Sequence, residues 1–232
     1  MLSGCAAKDE TMYETNDVQI MQPSQAEEQD TFLSDTEDIN YEYITEELYA
    51  ERAGNRIYGV VYIPQDAGEQ MPAVIFSHGF GGNYQVGTQY AKALAEKGYV
   101  DKNNIFLIGT SQGGAVSAIT AAALQEEIRG AILLYPAFCL GDQTKERFAS
   151  VDDIPDTYFS LWMTIGRAYA ENLLDYDIYE AISGYEKDVL ILHGDADSIV
   201  PLSYSEKALD IYSSARLEVF PGAGHGFYGE DA

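Results

Sequence analysis

A fold of the α/β class, built on a mostly parallel sheet, is predicted by two features of the sequence. From residue 73 onward, short apolar runs recur, and each is typical of a strand buried on both faces. Helix-forming segments separate these runs, and the loops that follow them are rich in Gly, Ser, Asp and His. Buried strands that alternate with helices indicate parallel βαβ units. We therefore expect helices on both faces of the sheet and polar loops at the carboxyl ends of its strands.

The first 38 residues are predicted to form a disordered acidic tether. Residues 9–38 carry ten acids, no Lys or Arg and few aliphatic side chains, so they cannot bury enough apolar surface to fold. Residues 2–5 read L-S-G-C and resemble a lipobox, in which the cysteine, here Cys5, is lipidated. Only Met1 precedes this pattern, so the charged and apolar regions of a signal peptide are absent from the sequence. We expect an extracytoplasmic lipoprotein anchored to a membrane through Cys5, with an acidic tail on a cytoplasmic protein as the alternative.

The charge of the chain excludes some classes of partner. The formal net charge is −25 over 232 residues, which disfavours binding to nucleic acid and adhesion to anionic lipid by charge. The two cysteines, Cys5 and Cys139, give no signal of a disulfide framework. No apolar run approaches the ~20 residues that a membrane-spanning helix requires.

Residues 39–232 are predicted to form the folded domain, which opens with a hairpin. Residues 40–50 and 56–63 are rich in Tyr, Thr, Ile and Val, and A-G-N at residues 53–55 makes the turn between them. The first buried strand, residues 73–76, runs directly into H-G-F-G-G at residues 78–82. A His-Gly turn at this place builds half of an oxyanion hole in serine hydrolases, with Phe80 supplying a backbone N–H. A helix is predicted over residues 89–97.

The next strand carries the most specific motif in the chain. The apolar run at residues 105–108 is followed by G-T-S-Q-G at residues 109–113, and a run of small residues to Ala123 then predicts a helix. Strand, tight turn and helix are the context in which G-x-S-x-G forms a nucleophile elbow. Ser111 is therefore the candidate nucleophile, and the backbone N–H of Gln112 the second candidate oxyanion donor. The alternative is an ordinary loop that contains a serine.

The segment at residues 137–187 is predicted to be a lid inserted between two strands of the sheet. It follows the strand at residues 130–135, shows no clear strand of its own and is rich in aromatic side chains. Such side chains can line an acyl or aryl pocket, or they can form a small core of the lid itself. The sequence leaves both alternatives open.

The remaining two strands predict the partners of the serine. Residues 189–192 run into H-G-D-A-D-S-I-V-P, a helix covers residues 205–213, and the last strand at residues 217–220 precedes G-A-G-H-G-F. A serine nucleophile needs a base, and an acid that orients that base. Of the three histidines, His78 and His193 are predicted to be structural, which leaves His225 as the base. Asp195 and Asp197 are both candidates for the acid, and either one completes the chain order Ser…Asp…His.

Taken together, these motifs resemble those of the α/β-hydrolase superfamily, and most of all the serine esterases of gut bacteria that include cinnamoyl and feruloyl esterases. The resemblance covers roughly residues 40–232. It implies that Asp197, the later aspartate of H-G-x-x-D, is the acid, and that Phe80 and Gln112 are the oxyanion donors. It also implies that residues 137–187 are the lid. We expect no cofactor or metal to take part.

The chain departs from the family pattern in two places. The family places a strand, a loop and a helix where this chain has only residues 99–103, although a strand–helix step takes about 30 residues. Only seven residues follow His225, where the family has its last helix. We therefore expect a fold that lacks one strand–helix unit and the last helix. The hairpin must then pair elsewhere or leave a bare sheet edge. We also expect the scaffold that carries the site to be poorly stabilised.

The expected function is that of a serine carboxylester hydrolase whose substrate is a small-molecule ester with a small acyl or aryl, feruloyl-like group. Close variants are a lysophospholipase, a monoacylglycerol lipase or a serine peptidase of the same fold. An alternative from another class is a non-catalytic remnant or binding domain on a lipoprotein tether.

Overall fold

The computed structural model describes residues 40–52, 55–65, 73–97 and 104–227, and residues 39–232 form one unit of the chain. The strands found there are β1 (Tyr43–Arg52), β2 (Asn55–Pro64), β3 (Ala73–Ser77), β4 (Ile105–Thr110), β5 (Ile128–Leu134), β6 (Thr157–Ser160), β7 (Met163–Gly166), β8 (Asp188–Gly194) and β9 (Ala215–Phe220). The helices are α1 (Thr88–Glu96), α2 (Gln112–Ala123), α3 (Leu140–Arg147), α4 (Arg167–Leu173), α5 (Ile178–Ile182) and α6 (Ser203–Leu209).

A five-stranded parallel sheet in the order β3-β4-β5-β8-β9 forms the centre of the structure. Each strand predicted from an apolar run from residue 73 onward is present, and each is longer than the run that predicts it. Because all five strands run in one direction, the loops that follow them meet at one edge of the sheet. The predicted α/β class and parallel sheet are therefore both present.

Successive side chains of the central strands enter two different cores. Leu107, Leu133 and Ile191 point to one face, where the alanines of α2 and residues of α5 and α6 cover them. Ile108 and Leu134 point to the opposite face, where Leu94 of α1 packs near them. Burial on both faces explains why these strands are continuous apolar runs in the sequence rather than alternating ones.

The hairpin forms as predicted but does not join the central sheet. Strands β1 and β2 pair only with each other among the described residues, from Tyr43 opposite Pro64 to Arg52 opposite Asn55. Within the same part of the chain, β3 pairs with β4 on one side and with no strand on the other. A groove of about 670 Å³, lined by β2, β3 and α1, lies along this edge. The predicted bare edge is therefore present at β3.

The segment predicted as the lid divides into two parts. Residues between Phe148 and Leu174 form a separate small core, which includes Ile154 and which we call the lid core. Helix α5 and Tyr185 instead belong to the core of the main sheet.

The prediction that this segment contains no clear strand is wrong, because β6 and β7 form a two-stranded antiparallel hairpin there. Each of these strands has four residues, too few for an alternating pattern to stand out.

Several predictions fall on residues outside the described ranges. They concern Cys5 and its lipidation, the acidic tether at residues 1–38, the short link at residues 99–103 and the chain after residue 227. These stay predictions. Among the described residues, no helix is both long enough and apolar enough to cross a membrane.

The burial of β8 leads to a prediction about stability. Ile191→Ala should lower the free energy of unfolding by about 3 kcal/mol, because the fully buried side chain leaves a cavity that its neighbours fill only partly. Ile75→Ala on β3 is the matched control and should cost less than about 1 kcal/mol, because that side chain is 52% exposed. Urea unfolding of the two variants measures the difference, and equal losses would contradict the placement of β8 in the core.

Candidate active site

The backbone turns sharply at Ser111, between the end of β4 and the start of α2. Ser111 has φ 52° and ψ −120°, a conformation that non-glycine residues rarely adopt and that is often found at functional sites. The glycines on either side make the turn possible. A Cβ atom on Gly109 would collide with the carbonyl of Gly113, and one on Gly113 would collide with the carbonyl of Ser77. The G-x-S-x-G pattern therefore follows from how closely β4, α2 and the end of β3 approach one another.

Three side chains from three loops form a continuous hydrogen-bonded chain at this turn. His225 Nε2 lies 3.0 Å from Ser111 Oγ, and His225 Nδ1 lies 2.7 Å from Asp197 Oδ2. The three residues follow β4, β8 and β9, at the edge of the sheet where parallel strands gather their polar loops. The structure thus brings together the candidate nucleophile, the candidate base and the later of the two candidate acids.

The two aspartates of the H-G-D-A-D motif have different surroundings. Asp197 is buried, and its Oδ1 accepts hydrogen bonds from the backbone N–H groups of Ile199 and Val200, each at 2.9 Å. This leaves Oδ2 to face His225. The Oδ1 of Asp195 instead accepts the N–H of Gly222 at 2.7 Å, in the loop after β9. Of the alternatives left open by the residues alone, Asp197 is the one placed beside the imidazole.

His193 is fully buried and supports the loop that carries Asp197. Its Nε2 lies 2.9 Å from the carbonyl oxygen of Val200, which can only accept, so Nε2 carries the proton and Nδ1 accepts from Ser205 at 2.7 Å. Burial lowers the pKa of His193 below its ordinary value of 6.5. A neutral imidazole with both nitrogens engaged agrees with the structural role predicted for it.

The turn after β3 lies against the serine from the other side. A Cβ atom on Gly79 would be 3.2 Å from the Cβ of Ser111, so this backbone passes Ser111 at close range. His78 Nδ1 lies 2.9 Å from the Gly79 carbonyl oxygen, within the turn. Phe80 and Gln112 line the same cavity as Ser111. Gln112 is the first residue of α2, where backbone N–H groups have no partner inside the helix.

A cavity of about 390 Å³ opens beside Ser111, between the sheet edge and the lid core. Its walls are largely apolar and aromatic, with Phe80 from the β3 turn and Phe148, Tyr158 and Tyr169 from the segment after α3. Phe148 and Tyr158 also pack in the lid core, whereas Phe159 and Trp162 are exposed at the tip of the β6–β7 hairpin. Both alternatives for the lid aromatics therefore hold: Tyr169 lines the cavity, and Phe148 and Tyr158 both line the cavity and pack in the lid core.

One contact at this site has no signal in the sequence. Gln112 Nε2 donates a hydrogen bond to the hydroxyl of Tyr169 at 3.1 Å, across 57 positions of the chain. Tyr169 is one of many lid aromatics in the sequence, and no pattern distinguishes it from the others. No cluster of His, Cys, Asp or Glu with metal-binding geometry occurs within the described ranges.

Comparisons with known proteins agree with this fold. A model of the prolyl oligopeptidase family matches residues 87–232. A non-heme haloperoxidase of Rhodococcus erythropolis is 41% identical over 51 residues, which are 22% of this chain and 19% of that protein. The chain thus spans about a fifth of the length of this curated relative.

Among solved structures, Est1E from Butyrivibrio proteoclasticus superimposes with a TM-score of 0.68 at 23% identity, over 79% of this chain and 91% of that one. Est1E with ferulic acid bound gives a TM-score of 0.66 at 21% identity, over 79% and 92% of the two chains. The predicted α/β-hydrolase fold is therefore confirmed.

The burial of His193 predicts a dependence of stability on pH. Because its pKa is lowered in the folded protein, the unfolded chain binds a proton more readily, so the free energy of unfolding should fall as the pH drops below about 6.5. His193→Gln should reduce this dependence, since Gln does not titrate. Urea unfolding between pH 5 and pH 8 measures the slope. His78→Gln, in which an exposed histidine is exchanged, is the control, and an equal change of slope in both variants would refute the assignment to His193.

Proposed function

The chain belongs to the prolyl oligopeptidase family and is a hydrolase of the α/β fold, and on that premise we propose that it is a serine carboxylester hydrolase. The observation that carries the proposal is the hydrogen-bonded chain from Ser111 Oγ through His225 to Asp197. A free serine hydroxyl is a weak nucleophile near pH 7, and an adjacent base activates it. This arrangement is the one that acyl transfer to serine requires.

In the first half of the reaction, Ser111 Oγ attacks the carbonyl carbon of the ester while His225 Nε2 accepts the hydroxyl proton. The carbonyl oxygen gains negative charge, which the backbone N–H groups of Phe80 and Gln112 would stabilise. The intermediate then collapses: the bond from carbon to the alcohol oxygen breaks, and the alcohol leaves with the proton from His225. The product of this half is an acyl group on Ser111.

In the second half, water replaces the alcohol. His225 Nε2 accepts a proton from the water as its oxygen attacks the acyl carbon, and Ser111 leaves with that proton. Throughout both halves, Asp197 Oδ2 accepts the hydrogen bond from Nδ1 of His225 at 2.7 Å. It thereby holds the ring in the tautomer that exposes Nε2 to Ser111 and stabilises the imidazolium.

The proposed substrate is a small-molecule ester with a short acyl or an aryl, feruloyl-like group. Support comes from the cavity, since 390 Å³ lies at the small end of the range for ligand sites and its walls are rich in aromatic rings. Est1E, which binds ferulic acid, shares the fold. The family name favours a second candidate, a serine peptidase that uses the same three residues.

The assignment of the nucleophile has a direct test. Ser111→Ala should abolish labelling by a fluorophosphonate probe and lower kcat/KM for p-nitrophenyl acetate by a factor of about 10⁴ or more, because the hydroxyl on which the acyl-enzyme would form is removed. The control is Ser117→Ala in α2, which removes a buried hydroxyl that has no hydrogen-bond partner among the described residues, and which should keep both activities.

A comparison of substrates, together with the labelling experiment, separates the competing functions. Turnover of methyl ferulate well above that of a peptide p-nitroanilide would support the esterase, and the reverse order would support the peptidase. Absence of labelling in the folded wild-type protein would overturn the serine hydrolase and leave the non-catalytic binding domain.

The two aspartates give a second, independent test. Asp197→Asn should lower kcat for p-nitrophenyl acetate by a factor of about 10⁴, because the amide no longer holds His225 in the productive tautomer. Asp195→Asn should lower it less than about threefold, because the side chain of Asp195 accepts the N–H of Gly222, a hydrogen bond that an amide oxygen can also accept. Steady-state kinetics of both variants measure the two losses of kcat, and a larger loss in Asp195→Asn would make Asp195 the acid instead of Asp197.

A further inference from the structure

A single side chain of α4 contacts both residues that we place at the oxyanion hole. The hydroxyl of Tyr169 accepts a hydrogen bond from Gln112 Nε2 at 3.1 Å. Its ring also packs at a tilt against the ring of Phe80, with the centroids 6.0 Å apart. Phe80 follows β3 and Gln112 follows β4, so these contacts join two separate loops of the sheet to one side chain of the lid.

The position of these two residues matters because oxyanion stabilisation depends strongly on geometry. The donors act only when they are held about 2.7–3.1 Å from the place where the charge develops. A displacement of about 1 Å can cost a factor of about 10² in rate. The side chains of Phe80 and Gln112 do not donate to the oxyanion themselves, but restraining them restrains the backbone N–H groups that would.

Tyr169 is itself attached to a rigid support. The next residue, Ala170, is fully buried in the lid core together with Leu174. Arg167, at the start of α4, donates to the backbone carbonyls of Val151, at 2.7 Å, and Ile154. Helix α4 is therefore held both by apolar packing and by hydrogen bonds to the segment before β6.

The hydroxyl of Tyr169 also remains in one protonation state across the range in which esterases are assayed. Burial raises its pKa to about 12, so it stays neutral and continues to accept from the Gln112 amide. Loss of this hydrogen bond should therefore change the rate without adding a new inflection to the pH profile.

We propose that Tyr169 is a positioning residue that couples the lid to the oxyanion hole, holding Gln112 through its hydroxyl and Phe80 through its ring. The proposal rests on the serine hydrolase function above. Tyr169 also lines the cavity, so an effect through substrate contact has to be separated from an effect through Gln112 and Phe80.

The first test is Tyr169→Phe, which removes the hydroxyl and keeps the ring. We expect kcat to fall about tenfold with KM changed less than about twofold, equally for p-nitrophenyl acetate and methyl ferulate, and with the pH profile unchanged. Tyr176→Phe is the matched control, because Tyr176 is a lid tyrosine that is 38% exposed and lies outside the cavity. A loss confined to KM for methyl ferulate would mark Tyr169 as a substrate contact and overturn the proposal.

The second test examines the hydrogen bond from its other end. Gln112→Met keeps the backbone N–H and removes the side-chain amide, so it should lower kcat by about the same factor as Tyr169→Phe. If the two side chains act through one bond, the double variant should lose no more than either single variant. Losses that multiply in the double variant would show that the residues act independently and would overturn the coupling.

A third measurement reports on the oxyanion hole itself. A trifluoromethyl ketone adds to the nucleophilic serine and forms an oxyanion, so its affinity should fall in Tyr169→Phe by the same factor as kcat. Unchanged affinity would overturn the proposal. Its failure is distinguishable from failure of the proposed function: wild-type protein without Ser111-dependent turnover refutes both, whereas full turnover in Tyr169→Phe refutes only the role of Tyr169.

Discussion

The left-handed backbone of Ser111 is the constraint around which the rest of the site is arranged. Such a conformation costs on the order of 1–3 kcal/mol and persists only where neighbouring structure enforces it. Here the end of β5 does so: the Ser111 N–H donates to the carbonyl of Leu134, and its own carbonyl accepts the N–H of Ala137, both at 2.9 Å. Two hydrogen bonds to the adjacent strand and its loop therefore hold the strained residue in place, with its Oγ 3.0 Å from His225 Nε2.

The order of the strands decides which parts of the site are well supported. Strand β4, which carries Ser111, is paired on both sides, and so is β8, which precedes Asp197. The loop with His225 follows β9 and packs against Tyr135, at 4.7 Å between ring centroids. Strand β3 has one partner among the described strands, and the turn to Phe80 follows it. Strand β9 likewise has one partner among the described strands, so Phe80 and His225 both follow edge strands, whereas Ser111 and Asp197 follow strands that are paired on both sides.

The sequence predicts those features that depend on local patterns. Apolar runs mark the parallel strands because both faces of the sheet are covered, and G-x-S-x-G marks the turn because a Cβ on either glycine would collide with the backbone. Features that depend on distant packing are not predictable in this way. Strands β6 and β7 are too short to show a pattern. Helix α5 lies within the predicted lid segment but packs in the core of the main sheet. The contact between Tyr169 and Gln112 joins residues that are 57 positions apart.

Both the unpaired edge of β3 and the packing of the lid aromatics affect the position of Phe80. The conformation of Phe80 depends on a turn whose parent strand has one partner in the described sheet, so the sheet alone restrains this turn less than it restrains Ser111. Tyr169 and Trp162, both from the inserted segment, pack against the Phe80 ring, with ring centroids 6.0 Å and 5.9 Å away. Where an edge strand leaves a catalytic turn under-supported, packing from an inserted segment can supply the missing restraint. The position of Phe80 would then depend on the lid, and the positions of Ser111 and Asp197 on the sheet.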